Sequence, residues 1–536
     1  MTDVAVLVVG AGPTGLLLAA ELKRRNVDVL LIDAHDAPLA WDRATVVHPR
    51  SIELFDALGI SEPLLAAGVP QRLARIHSHG ALLGDIDLSL SGSRYPFNLG
   101  LSEEVTERIL NDHLEALGGS VTRATRLVDL AEDADGVTAT LESGGVQRQV
   151  RARWVVGCDG FRSTVRTLAG IGQEGEAIEE PWAVFDATIP DWPHTHEANF
   201  AFLDEPPVIL TSLPDRRWRA YLRPSAQDSD LVADVLATLA PYLPGIRFAD
   251  VTNPTRFRCH SKVAQAYRAG RLLLAGDAAH TCSPVQGHGM NSGLQDAWNL
   301  GWKLALVANG LCADSLLDSY EAERRPVAQK IVASGSEADS AMLMNEAGRL
   351  ARNAAIRDAF SDPATRHQEA VAEAELDIDY GASPIVVPGG ILLPTAGQAL
   401  PAPLEIRPAD GMRAVLRGLY HRPGHTVLLV GSTTVAVADL TTLQQALSAQ
   451  MDGTLFEASF ALTAHGPGAH GHAGIDPSTA DRLGIGGITL FVVRPDGYLG
   501  LRTEDDHAAA LLAYAARLGA GAPAAAAVEL SAGTAA

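Results

Sequence analysis

Cysteine is scarce: four residues among 536, at positions 158, 259, 282 and 312, with no C-x-x-C pair. This excludes a disulfide framework and a thiolate zinc cluster, and leaves free thiols in a reducing compartment as the expectation. Basic residues are also short. Against 64 Asp and Glu stand 42 Lys and Arg, a net charge of −22. Nucleic acids and anionic membranes both need clustered cations, so neither is an expected partner. No apolar run reaches the roughly eighteen residues of a membrane span without a polar or glycine interruption. No basic n-region precedes the first apolar run, so a signal peptide is not expected and a cytoplasmic protein is. Internal repeats are absent.

What is present is apolar mass. Hydrophobic residues make up 47% of the chain, enough for real cores, and the length calls for two or three domains. Residues 4–9 are a continuous apolar run, as in a parallel strand buried on both faces. Residues 13–25 read as a helix with Leu16, Leu17, Ala20 and Leu22 inward, and residues 27–32 as a second buried strand ending in Asp33. This is a β-α-β unit. Strands are predicted within 76–90, a helix over 104–117, and a hairpin leading to a buried strand that ends at Cys158-Asp159-Gly160. Residues 182–222 follow period two, with Phe200 and Phe202 on one face and Trp218, Ala220 and Leu222 on another. Helices dominate from 292 to 374, and the proline-rich stretch 379–403 reads as a linker. Beyond it, strands are predicted at 426–430, 434–438, 488–494 and 498–501, with helices at 441–450 and 505–518. Residues 519–536 read as a disordered tail.

Gly10-x-Gly12-x-x-Gly15 joins the first strand to the first helix. Gly10 permits the tight turn, Gly12 lets the backbone approach a pyrophosphate, and Gly15 lets helix and strand pack closely. Pro13 and Thr14 open a helix whose free N–H groups and dipole favour phosphates. Asp33, eighteen residues past the last glycine, is placed to accept from a ribose. A glycine turn with no ligand is the competing account. Asp159 and Asp277 each end a predicted strand, where a carboxylate either binds sugar hydroxyls or caps the next helix.

The motifs GAGPTGL (10–16), DGFRSTVR (159–166), GDAAHTCSPVQGHGMNSGLQDAWNLGWKLA (276–305) and LDSYEAERRP (317–326), in this order and spacing, resemble those of the class A flavoprotein aromatic hydroxylases. These are single-component, FAD-dependent monooxygenases typified by p-hydroxybenzoate and phenol hydroxylases, and the polyketide-tailoring members are the most similar. The resemblance covers residues 4 to about 328. It implies an α/β fold with a discontinuous Rossmann-like FAD-binding domain (1–75, 101–180, 255–345) and an inserted mixed-sheet substrate domain (76–100, 181–254). A helical segment and linker (346–401) and a thioredoxin-like domain (402–518) would follow.

Position by position, the resemblance implies that Gly10, Gly12, Gly15 and Asp33 hold the ADP half of FAD, with Arg43 reaching the cofactor from the second loop. Asp159 and Gly160 would support FAD and NAD(P)H use, and Gly276 and Asp277 the ribityl or pyrophosphate region. Gly287, His288, Gly289, Met290 and Asn291 would lie against the N1–C2=O edge of the flavin. A helix N-terminus there stabilises the anionic reduced ring. Pro284 would border the substrate. Glu103 and Glu107 stand where the family has a Q-x-x-x-E segment, and a Glu accepts from ribityl hydroxyls without donating an amide N–H.

The implied reaction is hydroxylation of a phenolic or polyketide-type aromatic, with NADPH or NADH as reductant and O₂ as co-substrate, through a C4a-hydroperoxyflavin. No catalytic triad is needed, and none is recognisable. Baeyer–Villiger oxidation on the same scaffold and a non-catalytic FAD-binding module are the alternatives. Phe185, Phe200, Phe202, Trp218, Tyr221 and Phe257 are candidate substrate contacts, although aromatics are more often plain core. His48, His260 and Tyr221 are candidate proton acceptors. His465, His470 and His472 read as solvated loop residues rather than a metal site. The C-terminal domain has no cysteine, so its role would be structural or in homodimer contacts.

Overall fold

A computed structural model describes residues 3–38, 44–178, 181–388, 394–400, 422–449, 451, 453, 455–464 and 473–520, with two short strands at Glu405–Arg407 and Ala414–Val415. Arg43 and the three histidines at 465, 470 and 472 lie outside the described residues, as do residues 521–536.

The first sheet is built on the strand Val4–Val9, which pairs in parallel with Val146–Gly157 on one side and Val29–Ile32 on the other. Leu272–Leu274 extends it beyond Val146–Gly157, also in parallel, and Val121–Thr122 borders Val29–Ile32. Parallel strands need crossovers, and helix Pro13–Arg24 supplies the first, with Pro13 in its opening turn and Lys23 and Arg24 in its last. Helix His288–Ala308 lies against it. A Cβ at Gly293 would sit 2.5 Å from Thr14 Oγ1, and one at Gly301 2.8 Å from Glu21 Cβ, so both glycines serve close helix packing.

The second sheet has seven strands in the order Ala249–Phe257, Trp182–Thr188, Arg217–Leu222, Val208–Leu213, Ala198–Phe202, Leu73–Ser78 and Ala81–Asp87. One face packs with helix Leu231–Leu239 into a core of Phe185, Phe200, Phe202, Trp218 and Leu222, so the two sets expected on different faces share one, because the register aligns Phe200 with Leu210 and Leu210 with Ala220. The opposite face carries Val184, Tyr221, Ala201 and Ile209, which meet Met342 and Ile356. Helices Glu346–Ser361 and Pro363–Glu373 cover the outer strand Ala81–Asp87, where a Cβ at Gly84 would lie 2.6 Å from Phe360 Cγ. Much of the stretch predicted as helical segment and linker therefore belongs to the wall of this sheet.

The C-terminal sheet centres on His425–Gly431, parallel to Phe456–Thr463 and antiparallel to Ile488–Val493, which pairs in turn with Leu499–Thr503. Residues 434–438, predicted as a strand, are a turn running into helix Val437–Ser448. The β-branched run misled, because the partner position is already filled by Phe456–Thr463. The predicted linker is not loose where it is described: Ile385 and Val386 are buried, Val387 N–H donates to Gly500 O at 2.9 Å, and Gly397 N–H to Leu499 O at 2.7 Å. Gly519, placed in the predicted tail, accepts from Ala313 N–H at 3.0 Å. Among the described residues no helix is long and apolar enough to cross a membrane.

Candidate functional site

A cavity of about 2240 Å³ runs from the carboxyl ends of the parallel strands to the free face of the seven-stranded sheet. Gly10, Gly12, Pro13, Thr14, Asp33, Glu103, Asp159, Gly160, Asp277, Pro284, Gly287, His288, Gly289 and Met290 all border it, although they come from five separate parts of the sequence.

The glycines divide into two classes. Gly10, at φ +99°, would place a Cβ 2.3 Å from Cys158 O, and Gly15 one 1.9 Å from Gly10 O, so protein packing alone demands them. Gly276, at φ +62°, would meet Thr14 Oγ1 at 2.6 Å. Gly12 and Gly289 have no such constraint. A Cβ on Gly12 finds only Glu107 Oε1 at 3.7 Å, and one on Gly289 only Cys282 Sγ at 3.8 Å. Both open onto the cavity, as expected where a ligand approaches bare backbone.

The carboxylates also divide. Asp33 accepts from Ala11 N–H at 2.7 Å and His35 N–H at 2.8 Å, bracing the glycine turn. Asp159 accepts from Ser163 Oγ at 2.5 Å, Thr164 N–H at 2.6 Å and Val165 N–H at 3.1 Å. It thus ties down the helix that follows it, the capping account left open above. Burial pushes its carboxyl above the ordinary range despite these donors. Glu103 accepts from Ala44 N–H at 3.3 Å. Asp277 differs: it borders the cavity and its carboxylate has no hydrogen-bond or ion-pair partner among the described residues.

Behind this wall stands a residue that motif inspection left without a role. Asp296, fully buried in helix His288–Ala308, accepts from Gly276 N–H at 3.0 Å, lies 2.7 Å from His280 Nε2 and accepts from Arg324 Nε at 2.7 Å. Burial by itself raises such a carboxyl; the charges of His280 and Arg324 outweigh it and hold Asp296 low. The only sequence signal was an acid within a helix whose charged residues are otherwise limited to Lys303.

Helix His288–Ala308 opens at Gly287, which is left-handed at φ +70°. Asn291 does not face the cavity. It donates to Val46 O and Gly287 O, both at 2.9 Å, and accepts from His48 N–H at 2.9 Å, bracing the helix start against the strand Val46–Val47. His48 is fully buried, with Nδ1 3.1 Å from Asn98 Oδ1 and Nε2 3.2 Å from Gln286 O. Both ring nitrogens are engaged, so it is scaffold and not a proton acceptor for a substrate. Among the described residues His48, His288 and Glu375 bring ligand-type atoms within 4.8 Å of one another. The two imidazoles stack at 4.9 Å, both nitrogens of His48 are engaged and Glu375 is already hydrogen-bonded to His288, so no ion is needed to hold the three together.

A family model described as an FAD binding domain matches residues 3–334. The 6-methylpretetramide 4-monooxygenase of Streptomyces rimosus is 38% identical over 353 residues, which span 64% of this chain and only 63% of that protein. The 12-dehydrotetracycline 5-monooxygenase/anhydrotetracycline 6-monooxygenase of Streptomyces rimosus subsp. rimosus is 31% identical over 526 residues, 92% of this chain and 94% of it. The solved anhydrotetracycline hydroxylase OxyS from Streptomyces rimosus superposes with a TM-score of 0.73 at 29% identity, covering 97% of this chain and 100% of its own. The chain belongs to the single-component, FAD-dependent aromatic monooxygenases.

FAD is the cofactor of this family, and the residues fit it: open backbone at Gly12 and Gly289, the N-termini of two helices, and an unpaired carboxylate at Asp277. Beyond this polar half of the cavity lies an apolar half. Its wall is Ile76, Ala201, Ile209, Tyr221, Phe257, Val285, Met342 and Ile356. Tyr221 adds the one hydroxyl among them, 2.9 Å from Thr45 Oγ1. Phe185, Phe202 and Trp218, expected as substrate contacts, are corrected: they lie on the other face of the sheet, in the core under helix Leu231–Leu239. Phe200 borders the cavity, but its ring meets Trp192 and Trp218 edge-to-face in that same core. Period two tells which residues share a face; it does not tell which layer covers that face. His260 stacks on Phe161 at 3.9 Å on the cavity border. Met342, at the far end of the helix that carries the last motif, and Ile356 and Phe360, on the next helix, went unforeseen because apolar spacing there reads as core.

Proposed function

We propose that this chain hydroxylates a multi-ring, phenolic aromatic of polyketide type, with FAD as cofactor, NADPH or NADH as reductant and O₂ as co-substrate. The observation that carries this is one continuous cavity with a polar, backbone-lined half and an apolar half. At about 2240 Å³ it exceeds the roughly 1000 Å³ upper range of ordinary small-molecule sites, leaving room for a dinucleotide and a polycycle together. Tetracycline-type acceptors in the names of the relatives favour the same substrate class.

Bound FAD would take two electrons from the nicotinamide and activate O₂, one oxygen atom entering the ring and the other leaving as water. The chain's own task is positioning. Gly12, Pro13 and Thr14 would receive the pyrophosphate, Asp277 the ribityl hydroxyls, and residues 287–290 the pyrimidine edge of the flavin. Pro284, in a rigid turn, would border the substrate, with Tyr221 as a polar anchor for it. The aliphatic wall would exclude water from the reacting ring.

The cofactor domain would comprise 1–75, 101–180 and 255–345, and the substrate domain 76–100 and 181–254 together with the helices of 346–373. A thioredoxin-like assignment of 402–518 is supported by the parallel pair around His425–Gly431, flanked by two antiparallel strands.

The test is turnover by purified, FAD-loaded protein. Multi-ring phenols should stimulate NADPH or NADH oxidation and yield a product heavier by one oxygen with its ring intact. A ring-expanded lactone would replace hydroxylation by Baeyer–Villiger chemistry. No stimulation by any aromatic compound would leave a non-catalytic FAD-binding module.

A further inference from the structure

Helix Pro363–Glu373 closes with Glu375 N–H donating to Ala372 O and Leu376 N–H to Val371 O, both at 3.0 Å. Glu375 itself is left-handed, at φ +58°. Helices normally place glycine at such a position, since a Cβ there costs about 1 kcal/mol. The chain instead carries a carboxylate, buried and aimed at the neighbouring helix. It lies 2.8 Å from His288 Nδ1 and accepts from Gln295 Nε2 at 2.5 Å. His288 and Gln295 are seven residues apart, two turns along one face of helix His288–Ala308. Glu375 thus clamps the first turns of the helix that opens onto the cavity.

The clamp also orients an imidazole. His288 Nδ1 faces the carboxylate and must carry the proton that bonds to it. Its ring plane is set by stacking on His48, at 4.9 Å between centroids and 30° between planes, and His48 is itself held by Asn98 and Gln286. Asn98 donates onward to Glu373 Oε1 at 2.8 Å. His288 Nε2 is left without a partner among the described residues, and His288 borders the cavity. Burial alone would lower the basicity of this ring; Glu375, then Glu373 and Asp377, outweigh it and keep the imidazole above its ordinary value. A strained backbone, a stacked ring and a buried carboxylate converge on one free ring nitrogen.

We propose that His288 is a fixed cationic donor to the flavin ring, with Glu375 and His48 as its positioning residues. Its Nε2–H would stabilise the negative charge the ring carries once NAD(P)H has delivered a hydride equivalent and left as NAD(P)⁺. This rests on the ring placement proposed above.

The experiment is the flavin midpoint potential of the purified holoprotein. His288→Gln should weaken binding of reduced relative to oxidised FAD about tenfold, which for a two-electron couple is about 30 mV more negative. His288→Asn should act alike, and His288→Lys, which keeps the charge, should recover most of the shift. The readout is the ratio of the two affinities, so each variant is measured with FAD bound. An unchanged potential in either neutral variant with FAD bound, or an equal shift in the lysine variant, overturns the role. Gly289→Val tests the ring placement separately. If it leaves FAD affinity and the flavin spectrum unchanged, the placement itself is wrong; if it perturbs them while His288→Gln does not move the potential, only the role of His288 is lost.

Discussion

Arg494, at the end of the C-terminal strand Ile488–Val493, donates to both carboxylate oxygens of Glu323 in the cofactor half, each at 2.8 Å. Neither side chain is exposed to solvent. Around them lie Asp496, 2.5 Å from Arg494, and Lys303, 2.7 Å from Glu323. Burial opposes the ionised Glu323, yet Arg494 and Lys303 hold it well below the ordinary carboxylate range. Glu323 adjoins Arg324, which bonds Asp296, and Asp296 receives Gly276 N–H. The C-terminal unit is thereby joined by buried ion pairs to the framework of the flavin motif.

Arg494→Ala should therefore destabilise the protein by about 3–5 kcal/mol, because it leaves Asp496 without its ion-pair partner and Glu323 with Lys303 alone. Chemical denaturation with and without FAD checks this. An effect under about 1 kcal/mol, the range of a surface pair, would mean the cluster is solvated.

The two classes of glycine predict opposite phenotypes. Gly15→Ala would drive a methyl to 1.9 Å from Gly10 O, so folding itself should suffer. Gly12→Val meets no protein atom closer than 3.7 Å at Cβ; the apoprotein melting temperature should hold while FAD affinity falls at least tenfold. Isothermal titration and thermal melts on both variants separate the two outcomes. Asp277→Ala should resemble Gly12→Val, with weaker FAD retention and an unchanged fold.

His425 is a buried acid-sensitive group. Burial first, and then the charge of Arg494, pull its pKa down to about 3, against about 6.5 in the unfolded chain. Between those values the unfolded state binds the proton and the native state does not, so stability falls as pH drops from about 6.5 towards 3. The slope from this group is about 1.4 kcal/mol per pH unit. In His425→Phe that portion of the acid limb should flatten; an identical pH–stability curve would place the sensitivity elsewhere.

Two substitutions distinguish core from cavity wall. Trp218→Ala should cost about 3–5 kcal/mol in stability with KM changing only through loss of folded protein. Ile356→Trp, on the cavity side, should leave the melting temperature within a few degrees and raise KM for a polycyclic substrate several-fold. Steady-state kinetics beside thermal melts read both, and a KM effect at Trp218 with none at Ile356 would reverse the assigned faces.

The β-α-β unit and the order of motifs were legible in the sequence because their causes are local. Val4–Val9 is apolar at every position, Gly10 and Gly15 answer to contacts within the same turn or with the adjoining strand, and Pro13 starts the helix. The substrate half was less legible. Phe185, Phe202 and Trp218 alternate as a half-buried sheet should, but the helix that covers them, Leu231–Leu239, comes later in the chain. Glu375 was invisible for a related reason: nothing in its neighbours marks a left-handed position 80 residues from Gln295, the residue it clamps.

By itself, then, the sequence determined a dinucleotide-type turn and the cofactor family. Short-range sterics and residue type suffice for those. Only the tertiary structure decided that Asp159 braces its own loop, that Asp277 keeps an open carboxylate, and that His288 is held by the buried carboxylate of Glu375. These depend on which buried groups find partners across distant segments, and a hydrogen bond between segments leaves no trace in local spacing.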